Sequence, residues 1–539
     1  MKNERLALTL IMLTILLLGG VVVGATSILN TIEADRQASI AAEDWELYFS
    51  TLLGGNHTEV PYDIEMDNLG YIYVAVAAYG VDCPTTGNLT EPSTEYNVVL
   101  AKFQPDGTPI YIQLLAHGNP RAIALDSNND VYVAGSSNDP DFPTTEGAFQ
   151  TEMGDAASCG FVIHLSGDDA SILDATLLGS AGGSAVLDMY LDSSNDVYVT
   201  GQTNDPQFPT SDNAYMSTTN GSLDGFVSHL DGDLSEVMGG TLFGGLYRDQ
   251  GRSLCLDNSG NVYVAGTNVH GSLYSDTDEA YIAKFSPDFS QLLWDDWFGT
   301  PGDQTDTFYD IAYDPAGSVV AVGLIESDGH AVDAVFNESL HGASDALVAE
   351  YTLSGTPITI SYLGGTGDEW FRDVDIVDGY RYFCGYSSSE GFPILDLYEE
   401  SPGGEEDIII MKTDSEFNII YSLGFGGQST DQGYSMDVIQ GIIAVAGVTR
   451  ESGFPLKNAY QDEYGGAGYY DACILMLTEP DADTIITYTT ASTTATGTTT
   501  GPSGGEGIIA LVLENLPLLI TIVSVLVIVV VGGLRLRKR

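Results

Sequence analysis

The 539-residue sequence is long enough for one large core or several domains, and its 76 acidic residues against 17 basic ones give a net charge of −59. Because such a surface repels phosphate backbones, nucleic acid is not expected as a partner. The same charge favours a soluble surface that attracts cations, as in a protein adapted to a salty or cation-rich exterior.

The N-terminal segment is typical of an exported protein. Residues 1–5 are polar or charged, residues 6–23 are apolar, and Ala25 lies among small residues at the position of a leader cleavage site. We therefore predict a signal peptide in residues 1–25, with an uncleaved signal anchor as the alternative because the apolar run is long. Residues 26–45 are predicted to be a linker.

Residues 46–481 repeat one unit. The segment LDSSNDVYVTGQTNDPQFPT (191–210) matches residues 125–144 at 15 of 20 positions, and related segments begin at residues 66, 256, 313, 377 and 439. Each copy is preceded by a segment of the type STLLGG and followed by one of the type GFVIHL. Three segments that recur seven times with a period of about 62 residues indicate a repeat architecture.

Each recurring segment is predicted to be a β-strand, because it is short, rich in Val, Ile, Tyr and Phe, and bounded by turn residues. An Asp-x-x-Gly/Asn turn joins two of the strands, since Asp accepts backbone N–H bonds while Asn or Gly adopts the left-handed conformation. One unit then holds four antiparallel strands, with a long polar loop between the second and third. No useful helical periodicity occurs in this part, and units of this kind repeated radially are the blades of a β-propeller.

These strands, the LDSSNDVYVTG-type hairpins and the DFPT loops resemble the seven-bladed β-propeller repeat family, known as SBBP repeats. The resemblance covers residues 46–481. It implies an all-β fold, a seven-bladed propeller with four-stranded antiparallel blades, and it implies no single activity. The sixth and seventh copies lack the Asp turn, so their hairpins are expected to be tighter than the family pattern.

Copy number predicts how the ring closes. The first STLLGG-type strand, residues 47–55, has no preceding blade, so we expect it to pair with residues 472–477 and complete the last blade. Four Phe-Pro pairs in the long loops are predicted to pack between neighbouring blades: Phe142-Pro143, Phe208-Pro209, Phe392-Pro393 and Phe454-Pro455.

The C-terminal segment is typical of a membrane anchor. Residues 482–506 are rich in Thr, Ser and Gly and are predicted to be a stalk, because they cannot bury enough apolar surface to fold. Residues 507–534 are predicted to be a transmembrane helix, and the basic tail 535–539 is expected on the cytoplasmic side. The chain is thus predicted to be a single-pass cell-surface protein whose ectodomain is extracellular.

Glycosylation sites and cysteines matter in an exported protein, because export exposes it to glycosylation and to disulfide formation. N-glycosylation is predicted at the four Asn-x-Ser/Thr sites, Asn56, Asn88, Asn220 and Asn337. The five cysteines form no CxxC motif; a disulfide between Cys83 and Cys159 is conceivable, and Cys255, Cys384 and Cys473 are expected to be buried.

No catalytic motif was found. The sequence contains neither GxSxG nor HExxH. His164 and His229 occupy one repeat position that holds Lys102, Lys284, Glu350, Lys412 and Met476 in the other copies. We interpreted this position as a solvated strand face that does not supply a catalytic base.

The candidate ligand site is the rim of the central channel, formed by the loops that enter the inner strands of blades four to seven. Its residues are Tyr247, Asp249, Asp303, Asp306, Asp368, Glu369, Trp370 and Asp431. The carboxylates could bind a hard cation such as Ca²⁺, or they could simply solvate loop tips. The aromatic residues suit a glycan platform, or they pack beneath their own loops.

We therefore expect a non-enzymatic cell-surface domain without a cofactor, Ca²⁺ aside. It would act in binding, adhesion or as an envelope scaffold for protein or glycan ligands. The alternative is an extracellular polysaccharide-acting enzyme whose paired rim carboxylates, such as Asp303 and Asp368, serve as acid and base at a separation of about 5–9.5 Å.

Overall fold

The computed structural model describes most of the propeller region of the chain. The described residues are 46–268, 278–299, 305–389, 392, 396–397, 405–450, 453–465 and 468–479. The predicted signal peptide (1–25), linker (26–45), stalk (482–506), transmembrane helix (507–534) and tail (535–539) lie outside them. Among the residues that are described, there is no helix with the length and apolar character needed to cross a bilayer.

The described residues form thirty strands. Their bounds are β1 (Glu46–Leu53), β2 (Glu59–Met66), β3 (Ile72–Tyr79), β4 (Gly87–Asn88), β5 (Tyr96–Phe103), β6 (Pro109–His117), β7 (Asn119–Leu125), β8 (Val131–Ser137), β9 (Cys159–Leu165), β10 (Ile172–Leu178), β11 (Ser184–Leu191), β12 (Val197–Thr203), β13 (Asp224–Leu230), β14 (Val237–Phe243), β15 (Gln250–Leu256), β16 (Val262–Asn268), β17 (Glu279–Phe285), β18 (Leu292–Phe298), β19 (Thr307–Asp314), β20 (Ser318–Ile325), β21 (Asp345–Thr352), β22 (Pro357–Leu363), β23 (Glu369–Val377), β24 (Tyr380–Ser387), β25 (Asp396–Leu397), β26 (Asp407–Thr413), β27 (Ile419–Phe425), β28 (Asp431–Ile439), β29 (Ile442–Thr449) and β30 (Asp471–Thr478).

The strands form seven antiparallel blades of four strands each. From the inner to the outer strand, the blades are β2-β3-β5-β6, β7-β8-β9-β10, β11-β12-β13-β14, β15-β16-β17-β18, β19-β20-β21-β22, β23-β24-β26-β27 and β28-β29-β30-β1. The two-residue strands β4 and β25 add short parallel pairs to the outer strands of the first and sixth blades. The predicted fold class is confirmed.

The seventh blade is completed by the start of the propeller. Strand β1 pairs antiparallel with β30, from Glu46 opposite Thr478 to Leu53 opposite Ala472. This pairing confirms the predicted closure, and it covers a strand edge that would otherwise be open.

The hydrophobic core is divided among the seven seams between blades. Each of seven buried clusters combines side chains of two neighbouring blades. At the first seam, Tyr73 and Leu100 of the first blade pack with Phe161 and Ile163 of the second. The four Phe-Pro phenylalanines are buried in four of these clusters, as predicted: Phe142, Phe208, Phe392 and Phe454. One blade cannot bury both of its faces, so the ring stabilises every member.

The hairpins follow the predicted turn chemistry. In the second blade, the Asp126 carboxylate accepts hydrogen bonds from the backbone N–H of Asn128 and Asp130 (2.7 and 2.8 Å), and Asn129 adopts a positive φ of 63°. In the sixth blade, β23 and β24 are joined by Asp378 and Gly379 alone, with positive φ angles of 53° and 80°. The seventh blade has the same two-residue turn, which confirms the tighter hairpins.

The repeat position of His164 and His229 is buried, so its interpretation as a solvated face was wrong. Lys102, Lys284, Lys412 and Glu350 are 7–8% exposed there, and Met476 is 0% exposed. The lysines and histidines at this position each lie over a tyrosine of the adjacent strand: Lys102–Tyr73, Lys284–Tyr263, Lys412–Tyr382, His164–Tyr132 and His229–Tyr198. The ring and a neighbouring carboxylate or carbonyl replace water around the charge.

All five cysteines are free thiols, so Cys83 and Cys159 form no disulfide. Cys255, Cys384 and Cys473 are buried, as predicted.

Candidate functional site

A β-bulge in each inner strand shapes the central channel. In β2, β7, β11, β15, β19, β23 and β28, the register with the second strand shifts at the same repeat position. An extra residue in an antiparallel pair bends its strand and re-aims the side chain. From the first blade to the seventh, the bulge residues are Tyr62, Arg121, Leu187, Arg252, Tyr309, Arg372 and Tyr434. These seven residues, the mouth ring, line a cavity of about 500 Å³.

Arginine and tyrosine contact one another around most of the mouth ring. The successive contacts are Arg121–Tyr62 (3.9 Å), Tyr62–Tyr434 (5.9 Å), Tyr434–Arg372 (4.3 Å), Arg372–Tyr309 (4.9 Å) and Tyr309–Arg252 (5.1 Å), measured between ring centres or from the guanidinium carbon to a ring centre. Six blades thus contribute to a continuous band of contacting cations and aromatic rings. Leu187 of the third blade is its apolar member.

The mouth ring holds an unusual share of the positive charge. Residues 46–481 contain ten basic residues, and three of them are in this ring. Among the described residues, no carboxylate oxygen lies within 4.0 Å of these three guanidiniums, whereas Arg381 pairs with Glu350 at 2.6 Å. The Nε atoms of Arg252 and Arg372 are buried without a hydrogen-bond partner. Burial lowers the pKa of Arg252, whereas at Arg372 the lowering effect of burial is outweighed by neighbouring tyrosines, which raise the pKa.

A second ring, polar except at Ala122, lies one residue further along each inner strand. It consists of Asp63, Ala122, Asp188, Ser253, Asp310, Asp373 and Ser435, and we call it the carboxylate ring. Its aspartates accept hydrogen bonds from backbone N–H groups of the next inner strand: Asp63 from Ile123 (2.8 Å), Asp188 from Leu254 (2.8 Å), Asp310 from Val374 (2.8 Å) and Asp373 from Met436 (2.6 Å). The carboxylates therefore join neighbouring blades.

Burial in the channel raises the pKa of these carboxyl groups. It raises the pKa of Asp63 to about 6 and that of Asp188 to about 8, where the nearby charge of Asp310 adds to the effect. Burial also raises the pKa of Asp373 and Asp375, which repel each other and Asp310. The carboxylate ring therefore binds protons near neutral pH, and it carries less negative charge than its composition suggests.

Most of the predicted rim carboxylates accept hydrogen bonds from loop backbone N–H groups. Four of them, Asp249, Asp306, Glu369 and Asp431, are 0% exposed. Each accepts a hydrogen bond from backbone N–H groups, Asp249 from Gly245 (2.7 Å), Asp306 from Glu326 and Ser327 (2.8 and 3.0 Å), Glu369 from Gly365 (2.8 Å) and Asp431 from Gly427 (2.7 Å). These groups hold the loops in place. Asp368 is exposed and accepts a bond from the Ser344 hydroxyl (3.0 Å), and Asp303 lies outside the described residues.

Of the two predicted aromatic residues, Trp370 extends the mouth ring. Its ring stacks on Tyr309 at 5.8 Å, and the guanidinium carbon of Arg372 lies 5.2 Å from it. Its indole N–H donates to Ser344 Oγ at 3.1 Å. Tyr247 is half-buried in its own loop. Of the predicted residues, Trp370 thus contacts the mouth ring, and the prediction did not include the arginines of that ring. An alignment of the seven inner strands places these arginines at one repeat position.

One group of three potential metal ligands occurs among the described residues: Asp126, Asp130 and His164. The Asp126 carboxylate already accepts backbone hydrogen bonds, and His164 Nδ1 lies 3.1 Å from Asp174. In the fourth blade, Lys284 and Asp257 occupy the repeat positions of His164 and Asp126, and they form an ion pair at 3.1 Å. The group is therefore the histidine version of a cation–carboxylate contact that recurs around the ring.

The glycosylation sites remain predictions with differing accessibility. Asn56, Asn88 and Asn220 are exposed, and Asn337 is half-buried.

Comparison with known proteins supports the repeat and the fold. The SBBP beta-propeller repeat model matches residues 112–143. No curated protein matches the chain. Among solved structures, a protein of unknown function from Dyadobacter fermentans is 12% identical over 81% of this chain and 99% of its own, with a TM-score of 0.37. BamB from Moraxella catarrhalis is 10% identical over 79% and 100%, with a TM-score of 0.33.

A further similar structure is the endosialidase of phage phi92, which is 11% identical over 85% of this chain and 72% of its own, with a TM-score of 0.38. At TM-scores below 0.5, these similarities carry no argument about this chain. The repeat match and the closed ring of seven blades confirm the predicted resemblance: the chain is a seven-bladed β-propeller that carries the SBBP beta-propeller repeat.

Proposed function

We propose that the propeller is a non-enzymatic binding domain of the cell surface, and that it receives a glycan or protein ligand at the mouth of its central channel. The observation that carries this proposal is the mouth ring. Its three arginines lack carboxylate partners among the described residues, and together with three tyrosines they line a cavity of about 500 Å³. Pockets for small ligands or single side chains are commonly of this size, at about 300–1,000 Å³.

The mouth ring can supply both apolar contact area and hydrogen-bond donors to a ligand. Tyrosine faces offer flat apolar area with a hydroxyl at the edge. Guanidinium groups offer directed donors that do not deprotonate. Because the mouth ring sits on inner strands that are joined to their neighbours, its geometry is held before a ligand arrives, which lowers the entropic cost of binding. A closed ring of this kind also suits an adhesion or scaffold role.

A ligand screen with the propeller tests the proposal. Residues 44–481 would be screened on a glycan array and in pull-downs, beside the variant Tyr309→Ala. We expect at least one ligand whose binding is lost in this variant, because Tyr309 contacts both Arg252 and Arg372.

Tyr460→Ala is the matched control, because Tyr460 is 40% exposed and lies in the loop that carries Lys457, whose backbone pairs with Ser50 of the outer strand β1. Both variants must keep the melting temperature of the unaltered protein within a few degrees. Ligands that bind equally to all three proteins would contradict the proposal.

A further inference from the structure

The arginines of the mouth ring belong to a protein that is otherwise strongly acidic. The protein has a net charge of −59, and the basic residues Arg248, Lys284, Arg381 and Lys412 of the propeller pair with carboxylates. The three guanidiniums of the mouth ring form no such pair among the described residues. A positive charge kept unpaired beside so many carboxylates indicates a binding partner that brings its own anion.

The aromatic residues around the arginines indicate the kind of ligand that bears the anionic group. Arg252 and Arg372 flank the same ring, with their guanidinium carbons 5.1 and 4.9 Å from the centre of Tyr309. Trp370 stacks on that tyrosine at 5.8 Å. A compact inorganic anion would contact the guanidiniums alone. A ring-shaped ligand that bears a carboxylate would contact both the guanidiniums and the aromatic residues.

We propose that the mouth ring recognises an acidic saccharide, a sugar chain that carries carboxylates, and this inference rests on the proposed function. The guanidinium of Arg252 or of Arg372 binds the carboxylate through paired N–H donors, and the sugar ring packs beside the aromatic residues Tyr309 and Trp370. Arg121, which lies 3.9 Å from the Tyr62 ring on the other side of the mouth, provides a second contact for a longer chain.

The chain's own negative charge limits where such a ligand can bind. At about 0.1 M salt, charges act over about 10 Å, and at 1 M over about 3 Å. Distant carboxylates are therefore screened in salt, while a guanidinium in direct contact with the ligand is screened less. Raised pKa values in the carboxylate ring below also reduce the repulsion of an anion at the mouth.

Calorimetry with the full-length protein tests the inference. The probe is an oligogalacturonate, and the control ligand is a neutral galactose oligomer of equal length. We expect the acidic oligomer to bind and the neutral one to bind at least about tenfold more weakly, because hydrogen bonds to charged groups are the stronger ones. Arg372→Gln should weaken binding of the acidic oligomer by a similar factor.

Lys457→Gln is the matched control, because it removes one positive charge from an exposed position in the loop beside the outer strand β1. It should leave affinity unchanged. If Arg372→Gln melts early, Arg121→Gln serves as the second variant, since its side chain contacts a different part of the ring.

The outcomes separate this inference from the proposed function. Equal binding of acidic and neutral oligomers, or acidic binding that both arginine variants retain, would overturn the inference. Inorganic phosphate that binds while the acidic oligomer does not would also overturn it, and would indicate a compact-anion site. A neutral glycan or a protein found in the screen, bound in a manner that depends on Tyr309, would leave the proposed function standing and refute the acidic saccharide.

Discussion

At the scale of single residues, the bulge position of each inner strand determines which side chains line the channel mouth. The bulge turns Tyr309 and Arg372 toward the axis, while the residues before them, Phe308 and Phe371, are buried in the seams. Immediately after the bulge, Asp310 accepts a hydrogen bond from the Val374 N–H of the next blade. In the fifth blade, Phe308 thus packs in a seam, Tyr309 belongs to the mouth ring and Asp310 joins two blades. The direction of each side chain determines its role.

Stability should fall as pH rises, because the channel carboxyl groups bind protons more tightly in the folded protein. Burial raises the pKa of Asp188 to about 8, against about 3.9 for an Asp in an unfolded chain. Between those values the folded state holds a proton that the unfolded state has lost, so stability decreases as pH rises through this range. We expect the melting temperature to fall from pH 5 to pH 8.5.

Asp188→Asn should flatten this dependence and raise stability at pH 8.5 by about 1 kcal/mol or more, since one pKa unit corresponds to about 1.4 kcal/mol. The Asn carbonyl can still accept the Leu254 N–H. Asp212→Asn, which makes the same charge change on an exposed loop, is the control. Identical pH profiles for both variants, measured by thermal melts, would contradict the expectation.

At the scale of strands and turns, most of the fold could be predicted from the sequence. The Asp turns, the two-residue hairpins and the closing strand β1 all follow from local residue types and copy number. Strand alternation has period two, and it fails at the bulge, where one extra residue moves Arg252 and Arg372 to the channel. That shift depends on pairing with the second strand, so periodicity alone could not reveal it.

The buried cations were missed for a related reason. Lys102 lies on a strand face that looks solvated in one blade, but its Nζ donates to the Gly167 carbonyl of the next blade at 2.7 Å. Only the ring brings that carbonyl close. Rim carboxylates such as Asp306 accept hydrogen bonds from loop backbone N–H groups, here those of Glu326 and Ser327, and composition does not show these partners.

The two-residue hairpin of the sixth blade allows a clean test of backbone strain. Gly379 has a φ of 80°, and a Cβ placed on it would meet no atom within 4 Å. Gly379→Ala should therefore destabilise the protein by about 1–2 kcal/mol through the backbone conformation alone. Gly245, which is equally open and has no positive φ, is the matched control, and Gly245→Ala should be tolerated. Chemical denaturation measures both, and equal losses would show that the turn conformation is not the cause.

At the scale of the whole molecule, stability depends on a closed circle. Seven seams carry seven hydrophobic clusters, and the one between the seventh and first blades includes Phe49 from strand β1. The inner strands reinforce the same seam, because Asp437 of the seventh blade accepts a hydrogen bond from the Met66 N–H of the first at 2.7 Å. The last blade and the first therefore contact each other as neighbours elsewhere in the ring do, although their sequences lie far apart.

Removing residues 44–55 should lower the melting temperature sharply, because it leaves β30 with an open edge and strips the apolar cover from one seam. Phe49→Ala isolates the packing part of this effect. Its side chain is 0% exposed and lies 6.0 Å from Phe103 of the first blade, so we expect a loss of about 3–5 kcal/mol. Phe149→Ala, at a residue that is 37% exposed, should cost far less. The ring does not depend on its closing strand if the deletion variant melts at the same temperature as the intact protein, or if both phenylalanine variants lose the same stability. In that case the blades must stabilise one another through the other six seams alone.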